Sequence, residues 1–336
     1  MKHLISILSL LSLIVPIKAQ NVLIYSDDGT WQDGIIALEH FFEEQGVSTQ
    51  RLYAADLNSD NWNKDADAIL FPGGYAYNYQ LAISLEAVDE IRDYVSNGGA
   101  YIGICAGAYF ASKTVEWEGG SYPYELGLFD GTATGSLDYV APWPEYTMTS
   151  LTMNKENPIN YNSPSSISTL YYGGPIFTPN PGVEVNTVAT WDEANNTAAI
   201  INFEYQNGRV LLLGPHLEIE EDDERDGTPF ATELNDQESD WASLWSGYQW
   251  VTNDNVSTNI ENSIISEIVV IDGRNISVNK NYYASINPRI TLYDLNGISL
   301  LSGSGELNIT SVASGVYFVK VDLEYESYFD KIYIVD

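Results

Sequence analysis

Along the N-terminal part of the chain, apolar runs of strand length alternate with apolar residues at helical spacing. Residues 21–25 form one such run. Ser26, Asp27, Asp28 and Gly29 then make a turn, and Thr30 is placed to cap the next element. Ile35, Ile36, Ala37, Leu38, Phe41 and Phe42 recur with helical period until Gly46. Residues 47–53 alternate as a second strand, 56–66 are a polar connection, and 68–71 are a third strand stopped by Pro72, Gly73 and Gly74. An amphipathic helix over 86–95 ends at Asn97, Gly98 and Gly99, and an apolar run over 100–104 comes next. This order predicts an α/β domain with a parallel sheet covered by helices on both faces. Between 115 and 181 the helical period disappears and Tyr, Trp, Pro and Gly are dense, which predicts a β-rich insertion. Residues 187–191, 198–202 and 209–213 read as further strands, the last as apolar as a central parallel strand. A final helix is expected over 236–251. A polar stretch at 252–262 separates this domain (20–251) from 263–336, where short strands and frequent turns predict a small antiparallel β-sandwich.

The apolar run at 100–104 leads into Cys105, the single cysteine of 336 residues, with Gly103 and Gly107 two residues to either side. Strand, sharp turn and helix start with a nucleophile at the apex are the nucleophile elbow, whose glycines let the backbone turn without clashes. A lone free cysteine is also a common core residue, so the rest of the chain must decide its role. Of three histidines, His3 lies in the first few residues and His40 falls within the first predicted helix. His216 instead comes after the apolar strand over 209–213, at the sheet edge where α/β proteins carry their sites. Glu218 is two residues on, and in an extended segment it would share the side of His216 and orient it. Thiol, imidazole and carboxylate are then nucleophile, base and orienter. Gly73, Gly74 and the Ala106 N–H are the candidate oxyanion donors. Pro-Gly-Gly by itself would read as a plain turn.

Charge and composition narrow the partners. The chain has 14 Lys and Arg against 47 Asp and Glu, a net charge of −33. That excludes a nucleic-acid surface, which needs clustered cations, and disfavours adsorption to anionic lipid. Residues 1–19 have a basic start, an apolar core over 4–15 and an alanine at 19, and are expected to be a cleaved signal peptide. No later segment is long and apolar enough to span a membrane as a helix, so an integral membrane protein is not expected.

Phe71-Pro-Gly-Gly74, Gly103-Ile-Cys105-Ala-Gly107 and His216-Leu-Glu218 together resemble the class I glutamine amidotransferase-like superfamily. The longer strings around Tyr101–Ser112, Tyr172-Gly173-Gly174-Pro175 and Gly214–Glu218 resemble its biotin-protein ligase N-terminal domain branch, over about residues 20–251. The resemblance implies a flavodoxin-like, doubly wound, mostly parallel sheet. It also implies Cys105, His216 and Glu218 as a catalytic triad, Gly73 and Gly74 at the oxyanion position, and Gly173 and Gly174 beside the substrate. No Gly-Arg-Gly-rich ligase motif occurs, so biotin ligation is not carried over. The strings 290–297, 307–309, 313–319 and 331–335 resemble the sorting domain of the type IX secretion pathway of the Bacteroidetes lineage. That implies the type IX machinery as a partner and a secreted or surface-attached protein.

Asp222, Glu224, Asp226, Gly227 and Glu233 approach the spacing of an EF-hand loop, but Glu224 is longer than the usual ligand and Pro229 falls where a β-branched residue belongs. A solvated acidic loop is the simpler reading. The resulting expectation is an exported thiol hydrolase or amidotransferase-like enzyme acting on a small-molecule or peptide amide, or a related acyl group, without a cofactor. The alternative is a catalytically silent small-molecule or glycan-binding module at the cell surface.

Overall fold

The structure, a computed structural model, describes residues 21–62, 64–160, 163–222 and 224–252, and further on 269–272, 274–278, 288–293, 299–312, 315–322 and 327–334. The expected signal peptide and, Thr252 apart, the linker lie outside the described residues, as do residues 294–297, 313–314 and 335 of the sorting-domain strings. The chain divides into two compact units, Met1–Asp254 and Asn255–Asp336.

In the first unit, β1 (Asn21–Tyr25), α1 (Gln32–Glu44), β2 (Ser48–Leu52), α2 (Ala54–Leu57), β3 (Ala68–Phe71), α3 (Ala76–Ala82), α4 (Leu85–Ser96), β4 (Ala100–Ile104) and α5 (Ala106–Ala111) occur in this order. Then come β5 (Ser112–Trp117), β6 (Gly120–Pro123), β7 (Phe129–Gly135), β8 (Thr147–Met153), β9 (Ser166–Tyr171), β10 (Ile176–Pro179), β11 (Asn186–Trp191), β12 (Thr197–Tyr205), β13 (Gly208–Leu213) and α6 (Trp241–Thr252). One sheet runs β2-β1-β3-β4-β13-β12-β10-β7-β5-β6, with β11, β8 and β9 branching from β12. Its first five strands are parallel. From β12 onward the pairing is antiparallel except for β5 with β7. The doubly wound α/β frame with a β-rich extension is therefore the architecture of this unit.

Strand sequences explain strand positions. Every residue of β3 and β4 is buried, as central strands with helices on both faces require, whereas β2 alternates with exposed residues and lies at the edge. Phe71 stacks on Tyr25 of β1 at 4.8 Å and on Tyr101 of β4 at 5.5 Å, tying three neighbouring strands through one ring. Each such pair contributes about 0.5–1.5 kcal/mol beyond the area it buries. The segments after β1, β3, β4 and β13 thereby meet along one sheet edge. They hold Trp31, Gly73 and Gly74, Cys105, and His216 and Glu218 respectively.

Three departures from the sequence pattern have local causes. A short helix, α2, runs into the segment read as a polar connection, its last turn closed by the Asn58 N–H on the Ala54 carbonyl at 2.8 Å. The helix after Cys105 stops at Ala111, because Thr114 and Val115 are already paired with β6 and β7. The last helix begins at Trp241: the Asp236 carboxylate accepts from the Glu238 N–H at 3.0 Å, an Asx turn that competes with helix, and Asp240 opens the helix instead.

The second unit contains β14 (Val269–Asp272), β15 (Asn275–Val278), β16 (Arg289–Tyr293), β17 (Ser299–Ser304), β18 (Glu306–Asn308), β19 (Gly315–Asp322) and β20 (Ser327–Ile334). They form two antiparallel sheets, β14-β15-β18 and β17-β16-β19-β20. Ile276 and Leu307 from one and Ile290, Leu292, Val319 and Val321 from the other share one apolar core. No described helix in the protein is long and apolar enough to cross a membrane.

Candidate active site

Cys105 sits between β4 and α5 at φ 47° and ψ −103°, a combination that costs a non-glycine residue about 1–3 kcal/mol. The surroundings hold it there. Its N–H donates to the Leu213 carbonyl at 2.8 Å, and its own carbonyl accepts from Ala108 and Tyr109 at 3.0 and 2.9 Å. The flanking glycines are needed for space: a Cβ on Gly107 would stand 1.9 Å from the Phe71 carbonyl oxygen, and one on Gly103 would stand 2.6 Å from the Gly107 oxygen. This is a strained elbow with the thiol at its apex.

His216 and Glu218 are buried, with His216 Nδ1 2.8 Å from Glu218 Oε1. The pairing arises differently from the sequence expectation. Residues 217–218 form a turn, closed by the Ile219 N–H on the His216 carbonyl at 3.3 Å, rather than an extended segment. The His216 N–H is fixed to the Leu170 carbonyl at 3.1 Å, and Trp241 Nε1 donates to the Glu218 carbonyl at 3.0 Å. The Trp31 ring packs edge-on against the imidazole at 5.0 Å. Burial opposes a charge on His216, but the Glu218 carboxylate, together with the nearby Cys105 sulfur, outweighs it and pushes the imidazole up to about 10. His216 is therefore protonated at neutral pH. Its Nε2 makes no hydrogen bond of normal geometry among the described residues; Cys105 Sγ, near enough to raise the imidazole pKa through hydrogen bonding, points instead at the Tyr172 carbonyl at 3.5 Å. Turning the thiol from that carbonyl toward the imidazole would satisfy both groups.

Gly73 and Gly74 have different roles. A Cβ on Gly73 would lie 2.6 Å from His216 Cε1, so this glycine makes room for the imidazole; its carbonyl accepts from Trp31 N–H at 2.9 Å and Tyr79 Oη at 3.0 Å. Gly74, at φ 143°, faces the cavity in front of Cys105. Among the described residues the Gly74 and Ala106 N–H groups have no acceptor. Gly173, at φ 73°, also lines the cavity and its carbonyl accepts from Tyr109 Oη at 3.0 Å. Gly174 does not line it: the glycine is there because a Cβ would meet the Gly214 oxygen at 1.8 Å.

The cavity has a volume of about 310 Å³. Besides Cys105 and the glycines, its walls are largely aromatic: Tyr75, Tyr77, Tyr109, Trp117, Tyr122, Tyr124 and Trp143. Motif reasoning singles out few of these positions, since they come from separate segments. Their one sequence signal is the density of Tyr and Trp between 115 and 146.

The acidic stretch after Glu218 is not a solvated loop. Glu220, Glu221, Asp222 and Asp226 are all buried. Arg225 bridges Glu220 at 2.6 Å and pairs with Asp222. Asp226 accepts from the Glu220 and Thr228 N–H groups at 3.1 and 2.8 Å, and Glu233 is bonded by Tyr146. Asp222, Asp226 and Glu233 are thus committed to separate partners, and Glu224 stands at φ 57° in the turn. The described residues contain no group of three or more His, Cys, Asp or Glu placed to hold a metal ion. Burial, with the charges of Asp236 and Glu220 added, pushes Glu221 up to about 8. The loop is thus a buried polar layer behind Glu218, tied to the start of α6 by Ser239 Oγ and the Asp240 N–H on Glu220 Oε1.

Comparison with known proteins places this unit. A biotin–protein ligase of Schizosaccharomyces pombe is 28% identical over 218 residues, covering 59% of this chain and 33% of that protein. An uncharacterized protein of Chlamydia muridarum is 31% identical over 164 residues, covering 47% of this chain and 62% of that protein. The chain thus spans about a third of the ligase and less than two thirds of the chlamydial protein. Among solved structures, a glutamine amidotransferase of Thermotoga maritima aligns over 70% of this chain and 99% of its own, with 13% identity and a TM-score of 0.46. The family model for the biotin-protein ligase N-terminal region matches residues 20–243, two thirds of the chain, and the chain belongs to that family.

Proposed function

We propose that the first unit is a thiol acyl-transfer enzyme, a hydrolase or amidotransferase-like catalyst acting on an amide or related acyl group. The observation that carries this reading is the strained Cys105 elbow set beside a buried His216–Glu218 pair whose second ring nitrogen is unpartnered. Strain and an unsatisfied buried nitrogen are both costly and are retained where chemistry uses them. Cys105 Sγ attacks the acyl carbon. The oxyanion that forms is met by the free N–H groups of Gly74 and Ala106. The attacking sulfur is the thiolate paired with protonated His216, which donates from Nε2 to the leaving amine as the C–N bond breaks while Glu218 holds the ring. The now neutral imidazole then takes a proton from a water whose oxygen attacks the acyl carbon, and the C–S bond breaks to give the acid and restore the thiolate.

Iodoacetamide at neutral pH should label Cys105 selectively, and a panel of amide and ester substrates should be turned over by wild type and not by Cys105→Ala. An unreactive Cys105, or turnover unchanged in Cys105→Ala, would refute the proposal. Export is part of the same proposal: residues 1–19 direct the chain across one membrane and the C-terminal unit across a second. The support is the leader pattern and the sorting-domain strings. Deleting 263–336 in a host with a type IX pathway should retain the protein inside the cell, as read by fractionation.

A further inference from the structure

Resting on the reading of Cys105 as nucleophile, we propose that its acyl donor is a cation: an amide or ester carrying an ammonium or quaternary ammonium group that sits against the aromatic walls in front of the thiol.

The walls meet nearly at right angles. Tyr109 and Trp117 pack at 5.6 Å and 83°, Trp117 and Trp143 at 5.8 Å and 74°, and Tyr75 and Tyr77 at 6.4 Å and 73°. Rings at such angles form corners, and a corner offers a cation two electron-rich faces. Trp143 is held from behind by Tyr172, stacked at 5.1 Å, so its position is set before any ligand arrives. Tyr75, Tyr77, Tyr122 and Trp143 are nevertheless between 40% and 55% exposed at one mouth. A contiguous exposed cluster of large rings marks a binding surface.

Charge selects among ligands that rings can hold. Among the described residues no Lys or Arg lines the cavity, so a carboxylate such as that of free glutamine meets no cationic partner among them. Of the cations on nearby elements, Lys113 is paired with Asp130 at 3.1 Å and Arg92 with Asp89. The chain carries −33 overall, and such a field raises the local concentration of cations. Aliphatic residues would serve a neutral apolar group as well as rings do, but among the described lining residues only Val115 and Ala76 supply them.

Three methanethiosulfonates with one reacting group and different tails test this: 2-(trimethylammonio)ethyl, methyl and 2-sulfonatoethyl. In each, the Cys105 thiolate attacks the sulfenyl sulfur, an S–S bond forms, and methanesulfinate leaves with the bonding pair. Each rate constant is divided by that of 2-mercaptoethanol with the same reagent. The cationic reagent should exceed the methyl reagent by about tenfold, a size between an exposed and a fully desolvated cation–π contact, and the anionic one should be slowest. The preference should survive about 1 M NaCl, where screening shortens the range of the overall field to roughly 3 Å. Trp117→Leu and Trp143→Leu should each reduce it. As a test without variants, tetramethylammonium chloride should slow labelling by the methyl reagent, with NaCl at equal ionic strength as control. A ratio near one, a preference that salt abolishes, or no protection by tetramethylammonium overturns the cationic donor and leaves Cys105 a reactive nucleophile. Failure of all three reagents to label Cys105 overturns the nucleophile reading and this inference together.

Discussion

The two sides of Cys105 are built in opposite ways. Behind the thiol, His216, Glu218, Glu220 and Glu221 are packed out of water, and Gly34, Gly73 and Trp31 close around the imidazole and its carboxylate. In front of it, half-exposed rings from α3, its preceding turn, β5, β6 and the β7–β8 connection surround an open cavity. Low dielectric strengthens every charge interaction on the first side, which is why His216 holds its proton to about 10 despite burial. The second side has few fixed hydrogen bonds and relies on surface contact. Under the proposed function, reactivity belongs to the buried side and selectivity to the open one.

This contrast can be broken at several points. The largest effect is expected at Gly107. Its added Cβ would meet backbone at 1.9 Å, which no side chain can relieve, so Gly107→Ala should cost on the order of 3–4 kcal/mol in urea unfolding. A loss below about 1 kcal/mol would show that the elbow is looser than its packing implies. Next is His216→Asn, which should slow iodoacetamide labelling of Cys105 at pH 7 by about a hundredfold. Gly73→Ala should reproduce much of that loss by displacing the ring, and an unchanged rate would remove the space-making role given to Gly73.

The buried acidic layer gives a smaller, pH-dependent effect. The folded pKa of Glu221, about 8, lies above its ordinary 4.5, so the folded state holds the proton more tightly. Its stabilising contribution is complete below about pH 4.5 and is lost as pH rises through about 8. Glu221→Gln should match wild type near pH 4 and exceed it progressively as pH rises toward 8 in thermal unfolding. Parallel curves would show that Glu221 is not buried in solution. His216 acts in the same direction over a higher window, complete below 6.5 and lost through about 10. The smallest effect on stability is expected in front of the thiol: Trp143→Leu should cost under about 1 kcal/mol, as for surface side chains, while altering which reagents reach Cys105.

Several features were legible because they are local. The elbow could be read from glycines two residues to either side of a cysteine that ends an apolar run, since the clash they avoid is within the turn itself. Frame strands were legible because burial on both faces demands unbroken apolar runs. The acidic stretch was misread as solvated because burial of a carboxylate depends on Arg225 and on the start of α6, which a composition count does not see. His216 and Glu218 were correctly paired, but the spacing works through a turn, where the next hydrogen bond and not strand alternation sets direction.

By itself, then, the sequence determined the α/β order, the elbow, the His216–Glu218 pairing and the small C-terminal β unit, because each depends on neighbours a few residues apart or on periodicity. The tertiary structure decided that Gly73 makes room for an imidazole while Gly74 faces the cavity, that Gly174 is a backbone contact, and that rings scattered from Tyr75 to Trp143 form one wall. Those outcomes depend on which segments the sheet brings side by side, and no spacing along the chain encodes a distance across it.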